Sequence, residues 1–262
     1  MNVWKVLPAL FLLAAATSAQ AGPLVNGGFE DGTVNGWTTG QGDRTSTPNS
    51  ALTPASVLPG GSLYDGPSTH SSIITAGTID PIVGAALGST VYSGNYSYRV
   101  EDTMTGGYAS VLSQSVQNYT DANIFFAWKA VLEGAHGTDE AAALIIQLRD
   151  DTTGQLIINR TYTATAGGGG VDNRFSSQND YFYTPNWQIE QLAIDAALSG
   201  HNFTVSLLAA DCEFGGHLGY AYIDGFGGQI PGNDGEVPEP ASAALLMLGA
   251  GGLLAARRRR KG

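Results

Sequence analysis

The chain has 262 residues and a formal net charge of -11, with 36 glycines, one cysteine and only 13% charged residues. Between positions 22 and 231, six basic side chains stand against twenty carboxylates, which leaves a net charge of -14. A surface of this sign repels phosphate backbones, so the composition excludes nucleic acid as an expected partner. Hydrophobic residues make up 43% of the chain, which is enough for a core and argues against wholesale disorder.

The N-terminal segment has the features of a secretory signal peptide. A basic start leads into the apolar run 6–16, and Ala19 and Ala21 place small residues at the two positions that signal peptidase inspects. We therefore expect a signal peptide over 1–21, with cleavage before Gly22. An anchor helix is the weaker interpretation, because about eleven apolar residues fall short of the roughly twenty that a bilayer core requires.

The C-terminal segment has three parts in a fixed order. Val237-Pro238-Glu239-Pro240 leads into the uncharged run 241–256, and a basic cluster follows at 257–261. A helix over that run would span roughly 24 Å, which is short but tolerable for a thin membrane, and the basic cluster would stay in the cytoplasm. We predict a transmembrane helix over 241–256 and a flexible linker over 232–236, with the globular part outside.

This order of parts resembles the PEP-CTERM sorting signal, which would occupy 237–262. The resemblance implies recognition by an exosortase in the inner membrane of a Gram-negative bacterium, and an association with extracellular polysaccharide. The chain would be anchored in the inner membrane before processing and would then reach the cell surface or the extracellular matrix. An ordinary tail anchor is the alternative. The residues that the resemblance assigns to sorting and processing are Pro238, Glu239, Pro240, Arg257, Arg258, Arg259 and Arg260.

Segments with alternating apolar and polar residues fill the middle of the chain. Residues 37–72 are rich in Thr, Ser, Pro and Gly and predict a long surface loop, whereas the turn at 151–154 predicts a hairpin. Many short strands without a βαβ rhythm favour an all-β fold, an antiparallel β-sandwich of the jelly-roll type. It would form one domain over 22–231, flanked by the signal helix and the transmembrane helix. The predicted strands are 96–100, 109–116, 124–130, 142–148, 156–162, 188–194, 203–208 and 218–223.

Both ends of this domain resemble known β-sandwiches. The run 24–32, followed by Gly36 and Trp37, is similar to the first strand of carbohydrate-binding-module and galactose-binding-like jelly rolls, and 219–224 is similar to their last strand. The run 211–220 is similar to surface-adhesin jelly rolls of secreted bacterial proteins. These resemblances imply the fold and do not identify a ligand.

The same resemblance implies a structural calcium ion shared by the first and last strands. The matching acids are Glu30, Asp31 and Asp224. Calcium takes about six to eight oxygen ligands, and a glycine-rich turn such as Gly27-Gly28 can supply backbone carbonyls. Acids that only cap strand ends in water are the alternative.

Exposed aromatic rings are the usual platform on which a jelly roll binds a sugar. Tyr181 and Tyr183 belong to an aromatic cluster that follows a run of glycines, and Trp37 opens the long early loop. We predict these three as ligand contacts and place Trp187, which begins a strand, in the core. Because aromatic residues of a sandwich are more often core than platform, core positions are the alternative.

The chain has four histidines and one cysteine. A single cysteine makes no disulfide within the chain, and we expect Cys212 to be a small buried residue at a strand end. His136 lies near Glu133, Asp139 and Glu140 in sequence but lacks the short spacing of a zinc site, so a solvated loop is expected there. His217 is expected to hydrogen-bond a loop carbonyl.

These patterns predict an exported, non-enzymatic surface or matrix protein whose sandwich binds or associates with exopolysaccharide. The hydrolase motifs Gly-x-Ser-x-Gly and His-Glu-x-x-His do not occur in the sequence. Two alternatives stay open: a secreted glycan-active enzyme on the same scaffold, and a structural matrix component without a discrete ligand.

Overall fold

The computed structural model describes residues 24–230. The predicted signal peptide, with Ala19, Ala21 and Gly22, lies outside the described residues, and so do the predicted linker, transmembrane helix and sorting signal at 232–262. Within 24–230, no helix is both long enough and apolar enough to cross a membrane.

Two antiparallel sheets form the fold. In spatial order, the five strands of the first sheet are β1 (Thr38–Asp43), β4 (Tyr108–Val116), β11 (Phe203–Ala210), β6 (Ala143–Asp150) and β7 (Gln155–Thr163). The second sheet has seven strands. Six of them follow one path, in the order β2 (Ser72–Thr75), β3 (Tyr96–Val100), β12 (Gly219–Gly227), β5 (Asn123–Glu133), β9 (Tyr181–Tyr183) and β8 (Ser176–Gln178), and β10 (Gln188–Ala193) also pairs with β5.

The main core lies between the two sheets because apolar side chains alternate along the facing strands. Phe126 and Trp128 of β5 and Leu144 and Ile146 of β6 are fully buried in it. Each such side chain stabilises the fold by about 1.5–3 kcal/mol relative to an exposed position. Since β5 is buried on both faces, its sequence is a nearly continuous apolar run rather than an alternating one.

The predicted antiparallel β-sandwich of the jelly-roll type is confirmed, and every predicted strand is present with bounds that differ by a few residues. The predicted hairpin also forms, between β6 and β7. Its turn closes where the amide of Gly154 donates to the carbonyl of Asp150 at 2.7 Å. Gly154 has φ +76°, a conformation that glycine adopts at little cost.

The prediction of a loop over 37–72 is wrong, because β1 and the short helix α1 (Pro54–Val57) lie inside it. Gly40 and Gly42 leave β1 without the alternating apolar side chains that indicate a strand in the sequence. A side chain at either would collide with the backbone carbonyl of Val57 or Leu63, which pack directly against β1. The expectation that the run 24–32 forms the first strand is also wrong, because this run forms turns.

The segment 44–66 folds back over the outer face of the first sheet. Thr53 caps α1, since its hydroxyl accepts a hydrogen bond from the amide of Ser56. An apolar cluster seals this part of the face, formed by Leu52, Val57, Ala109, Val111, Ile145, Leu208 and Ala210. Beside the segment, the part of that face on β6 and β7 is accessible, and this is where the candidate site lies.

Candidate functional site

A groove of about 560 Å³ opens on the outer face of the first sheet. Its floor lies on β6 and β7, and its wall comes from the loops around positions 50 and 139. Most of the residues that line it have polar side chains, among them Asn49, Ser50, Asp139, Gln147, Asn159 and Thr161. We call this feature the β6–β7 groove.

The floor of the β6–β7 groove ends a polar row that crosses the whole sheet. Register partners across the five strands are Thr38, Ser113, Ser206, Gln147 and Asn159, so their side chains share one face. Ser113 and Ser206 are buried and bonded to each other at 2.8 Å. Gln147 is half-buried and donates to the exposed Asn159 at 3.1 Å. The accessible end of the row therefore lies in the groove.

Hydrogen bonds hold the wall of the groove in place. Asp139 accepts from the amide of Ser50 at 2.7 Å and from its hydroxyl at 3.0 Å. The side-chain amide of Asn49 donates to the carbonyls of Thr138 and Ala141, both at 2.9 Å. A wall fixed in this way loses little conformational entropy when a ligand binds.

A buried arginine supports this wall from below. The guanidinium of Arg44, which is 0% exposed, donates to the side chain of Asn49 at 2.8 Å and to the carbonyl of Asp211 at 3.0 Å. Burial lowers the pKa of Arg44, and the charges of Glu213 and other nearby acids oppose that shift. Arg44 therefore links the groove wall to the loop after β11.

The groove offers amides and hydroxyls, which both donate and accept hydrogen bonds. Asp139 is the one carboxylate among its lining residues, and no aromatic ring lines it. This chemistry matches an uncharged ligand rich in hydroxyl groups.

The structure corrects the exposure expected for two of the three predicted aromatic contacts. Trp37 is 8% exposed and lies in the core, where its ring centroid is 4.5 Å from that of Phe226. Tyr183 is also 8% exposed, because β9 pairs it with Val131 inside the second sheet. Neither ring offers a face to a sugar. Tyr181 is half-buried, and its contact with a ligand stays a prediction.

Trp187, expected in the core, is half-buried outside the main core. It packs on the outer cluster of the second sheet, where Lys129 lies 5.6 Å from its ring centroid. Burial lowers the pKa of Lys129 to about 8.

The three acids predicted for calcium do not form one set. Asp31 is bonded within its own turn, to Asn26, Thr33 and Asn35. The side chain of Glu30 instead accepts a hydrogen bond from the amide of Tyr96 at 3.0 Å. Among the described residues, the groups of three or more possible metal ligands that meet within 4.8 Å do not include these three acids.

Glu30 and Asp224 lie close enough for their charges to interact, and a cation shared by them stays a prediction. Burial raises the pKa of Asp224 to about 7, against hydrogen bonds from backbone amides, and the charge of Glu30 contributes to the rise. One carboxylate oxygen of Asp224 accepts amides of the 92–93 turn, whereas the other, Oδ1, is buried without a partner. A cation or a proton would satisfy that oxygen.

An acidic cluster that the sequence analysis missed surrounds His70. Its Nδ1 lies 2.8 Å from Asp102 and 3.3 Å from Glu101, which is fully buried. Burial raises the pKa of Glu101 to about 7. Burial, and then the charge of Glu101, raises the pKa of Asp211 to about 8. The carboxylate of Asp211 accepts hydrogen bonds from the amide of Gly107, just before β4, and from the amide of Gly219, at the start of β12. The cluster therefore holds the loops at this end of the sandwich together.

The expectation for His217 is wrong, because its Nδ1 lies 3.3 Å from the sulfur of Cys212 rather than against a loop carbonyl. His136 is exposed in a loop, as expected, and its ring centroid is 4.8 Å from that of His217. The expectation that Cys212 is buried just after a strand is confirmed.

Comparison with known proteins identifies one motif. Residues 236–261 match the family model described as the PEP-CTERM protein-sorting motif. The chain carries a PEP-CTERM signal. This confirms the resemblance that the order of Pro-Glu-Pro, apolar run and arginine cluster indicated. No curated protein matches the chain.

Solved structures similar to this chain include a carbohydrate-binding module, TmCBM61, in complex with β-1,4-galactotriose. That match has 12% identity and a TM-score of 0.43, and it covers 78% of this chain and 94% of the module. A cyclase from Fischerella sp. TAU shows 11% identity and a TM-score of 0.41, over 80% of this chain and 96% of the cyclase. The K2 adhesin domain of Lys-gingipain shows 13% identity and a TM-score of 0.38, over 80% and 98%. None of these likenesses assigns a ligand or an activity to this chain.

Proposed function

We propose that this chain is an exported surface protein whose sandwich binds a neutral polysaccharide in the β6–β7 groove. The observation that carries the proposal is the groove itself. It has room for several sugar-sized groups, its floor and wall present amides and hydroxyls, and a hydrogen-bonded wall holds those groups ready. Amides and hydroxyls can both donate to and accept from the hydroxyl groups of a sugar.

The charge of the chain selects the class of polysaccharide. The segment 22–231 carries six basic residues against twenty acidic ones. An anionic polymer would be repelled along its length, whereas a neutral one would not. Neutral glycans are therefore the proposed ligands, and an extracellular polysaccharide of the producing cell is the proposed natural source.

The sorting motif supports the route by which the protein would reach that polysaccharide. Signal peptidase would cut before Gly22, and the run 241–256 would hold the chain in the inner membrane. An exosortase would then act at Pro238, Glu239 and Pro240 and release the domain to the surface or matrix.

The groove favours binding over hydrolysis. Glycosidases place two carboxyl groups about 5–9.5 Å apart across the scissile bond. Among the residues that line the groove, Asp139 is the one acid, and both of its oxygens already accept bonds from Ser50.

Replacing Gln147 and Asn159 together with Ala is expected to weaken binding of a neutral polysaccharide roughly tenfold or more. Each lost hydrogen bond to the ligand costs about 0.5–1.5 kcal/mol. Stability should change little, because Asn159 is exposed and Gln147 half-buried. Affinity electrophoresis against a panel of neutral and anionic polysaccharides measures the effect, and the melting temperature confirms folding.

The matched control replaces Gln178 and Asn173 with Ala, which are an exposed amide on β8 and one in the preceding loop. It should bind like the parent. Equal binding by the groove variant would move the site elsewhere, and loss in Tyr181→Ala instead would place it at β9. Release of oligosaccharides by the parent would favour the enzyme alternative, and no binding to any polymer would favour the purely structural one.

A structural calcium ion at Glu30 and Asp224 is a second part of the proposal. When bound, the ion would supply positive charge to the partnerless Oδ1 of Asp224 and tie the first turn to β12. We expect chelator to lower the melting temperature at pH 8 and added calcium to restore it. In Asp224→Asn, calcium should have no effect, whereas Asp31→Asn should keep the parent's response. An unchanged parent melting temperature on chelation would remove the ion.

A further inference from the structure

Three of the five histidine and cysteine residues in the whole chain meet at one point. The chain has four histidines and one cysteine. One ligand atom from each of His136, Cys212 and His217 lies within 4.8 Å of the other two. They come from two loops, the β5–β6 connection and the β11–β12 connection, which are far apart in sequence.

The β11–β12 loop brings two of the ligands together. The amide of Cys212 donates to the carbonyl of His217 at 2.8 Å, and the amide of Gly215 donates back to Cys212 at 3.0 Å. Gly215 has φ +75°, which lets the chain reverse tightly. The Sγ of Cys212 and the Nδ1 of His217 are thereby held 3.3 Å apart.

The β5–β6 loop presents the third ligand. His136 has φ +59°, an uncommon conformation for a residue with a side chain, and its ring meets that of His217 at 75°. The amide of Glu213 donates to the carbonyl of Glu140 at 2.8 Å, and Glu133 accepts the amide of Leu218 at 3.0 Å. The two loops are therefore joined by bonds that do not use the three side chains.

The group of possible ligand atoms that meets at this point contains no carboxylate oxygen. Glu133 is bonded to Leu218, and Glu140 accepts the amide of Gly137 at 3.1 Å. What remains is one sulfur and two imidazoles, a donor set that suits zinc and not calcium or magnesium. Cys212 is buried while His136 is exposed, so the cluster opens to solvent on one side.

We propose that His136, Cys212 and His217 bind one zinc ion, with the sulfur of Cys212 as thiolate and the fourth position open to water. The ion binds as the thiol loses its proton to solvent, with no change in oxidation state. It clamps the β5–β6 loop to the β11–β12 loop and keeps the lone cysteine from oxidation outside the cytoplasm. None of the three ligands lines the β6–β7 groove, although Thr138 and Asp139 of the groove wall lie in the same β5–β6 loop, and the site does not depend on polysaccharide binding.

Cobalt(II), a spectroscopic substitute for zinc, tests the site in the full-length chain purified in detergent under reducing conditions. One equivalent should produce a thiolate-to-cobalt charge-transfer band in the near ultraviolet, and zinc should abolish it. Because Cys212 is the only cysteine, such a band can come only from that residue. Cys212→Ser should lose the band. His136→Gln, which changes an exposed side chain and should fold normally, should weaken binding at least about tenfold.

The control His201→Gln alters a histidine that contacts Asp150 instead, and it should keep the band and the affinity of the parent. Absence of the band in the folded parent would overturn the proposal. An undiminished affinity in His136→Gln would do the same, because it would reduce the cluster to a hydrogen-bonded Cys–His pair. The measurement on His136→Gln still tests the proposal even if Cys212→Ser fails to fold.

Discussion

Raising the pH from about 5 to about 9 is expected to lower the free energy of unfolding of the domain by several kcal/mol. The cause is a set of buried carboxyl groups that folding removes from water. Burial raises the pKa of Glu101 from 4.5 to about 7 and that of Asp211 from 3.8 to about 8. His70 and Asp102 face Glu101 and change the size of its shift without reversing it.

The sign follows from which state holds the proton. Above pH 4.5 the unfolded chain has lost the proton of Glu101, whereas the folded chain keeps it until about pH 7. Stability is therefore greatest below the unfolded pKa, falls as the pH rises through this window, and levels off above the folded pKa. The shift of Glu101 alone corresponds to about 3 kcal/mol.

A carboxyl group whose pKa is lowered rather than raised limits the stability of the domain at acidic pH. Burial alone would raise the pKa of Asp150, but hydrogen bonds from His201, Thr153 and Thr152 lower it to about 2. Its contribution is present above pH 3.8 and is lost as the pH falls toward 2. We therefore expect the greatest stability between about pH 4 and pH 5.

Guanidinium unfolding at both pH values, with chelator present so that no metal ion contributes, measures this effect. Glu101→Gln should remove about 3 kcal/mol of the loss, because an amide does not titrate and still accepts the amide of Asp102. Asp65→Asn, at an exposed site, should keep the parent's dependence. A free energy that stays level or rises with pH would contradict the assignment, as would a full loss retained in Glu101→Gln.

Apolar runs beside turns were sufficient to predict β5 and β7. Burial alternates along β10, but its buried positions include Glu190 whereas Ile189 is 40% exposed, so hydrophobic alternation does not report its buried face. β1 was missed because its sequence is shaped by close contacts between backbones rather than by a buried apolar face. Gly40 and Gly42 leave room for the neighbouring carbonyls, and this constraint does not appear as hydrophobic alternation.

The candidate sites depend on strand register and on which loops meet in the fold, and no local sequence pattern predicts either. Gln147 and Asn159 look like ordinary solvent-facing positions until the pairing of β6 with β7 makes them neighbours. Cys212 and His136 lie in different connections, and only the sandwich brings those connections to the same end. Trp37 shows the converse error: a tryptophan beside glycines and threonines predicts an exposed loop residue, whereas Trp37 lies just before β1 with its side chain in the core.

Replacing Arg44 with Ala is expected to cost about 3–5 kcal/mol in the free energy of unfolding. Arg44 is fully buried and donates to Asn49, to the carbonyl of Thr47 at 2.9 Å and to the carbonyl of Asp211. Its removal leaves these acceptors without a donor and leaves the acids around it without a balancing charge. Lysine should not restore the loss, because it lacks the planar fork that reaches three acceptors at once.

The matched control for this variant is Arg149→Ala. Arg149 pairs with the carboxylate of Asp151 at 2.8 Å, but its side chain is 53% exposed, so its loss should cost less than about 1 kcal/mol. Urea unfolding of both variants gives the comparison. Since Arg44 holds Asn49 in the groove wall, Arg44→Ala should also weaken polysaccharide binding at temperatures where it is folded, whereas Arg149→Ala should not. If the two arginines proved equally dispensable for stability, the buried guanidinium would not be the support of the groove wall.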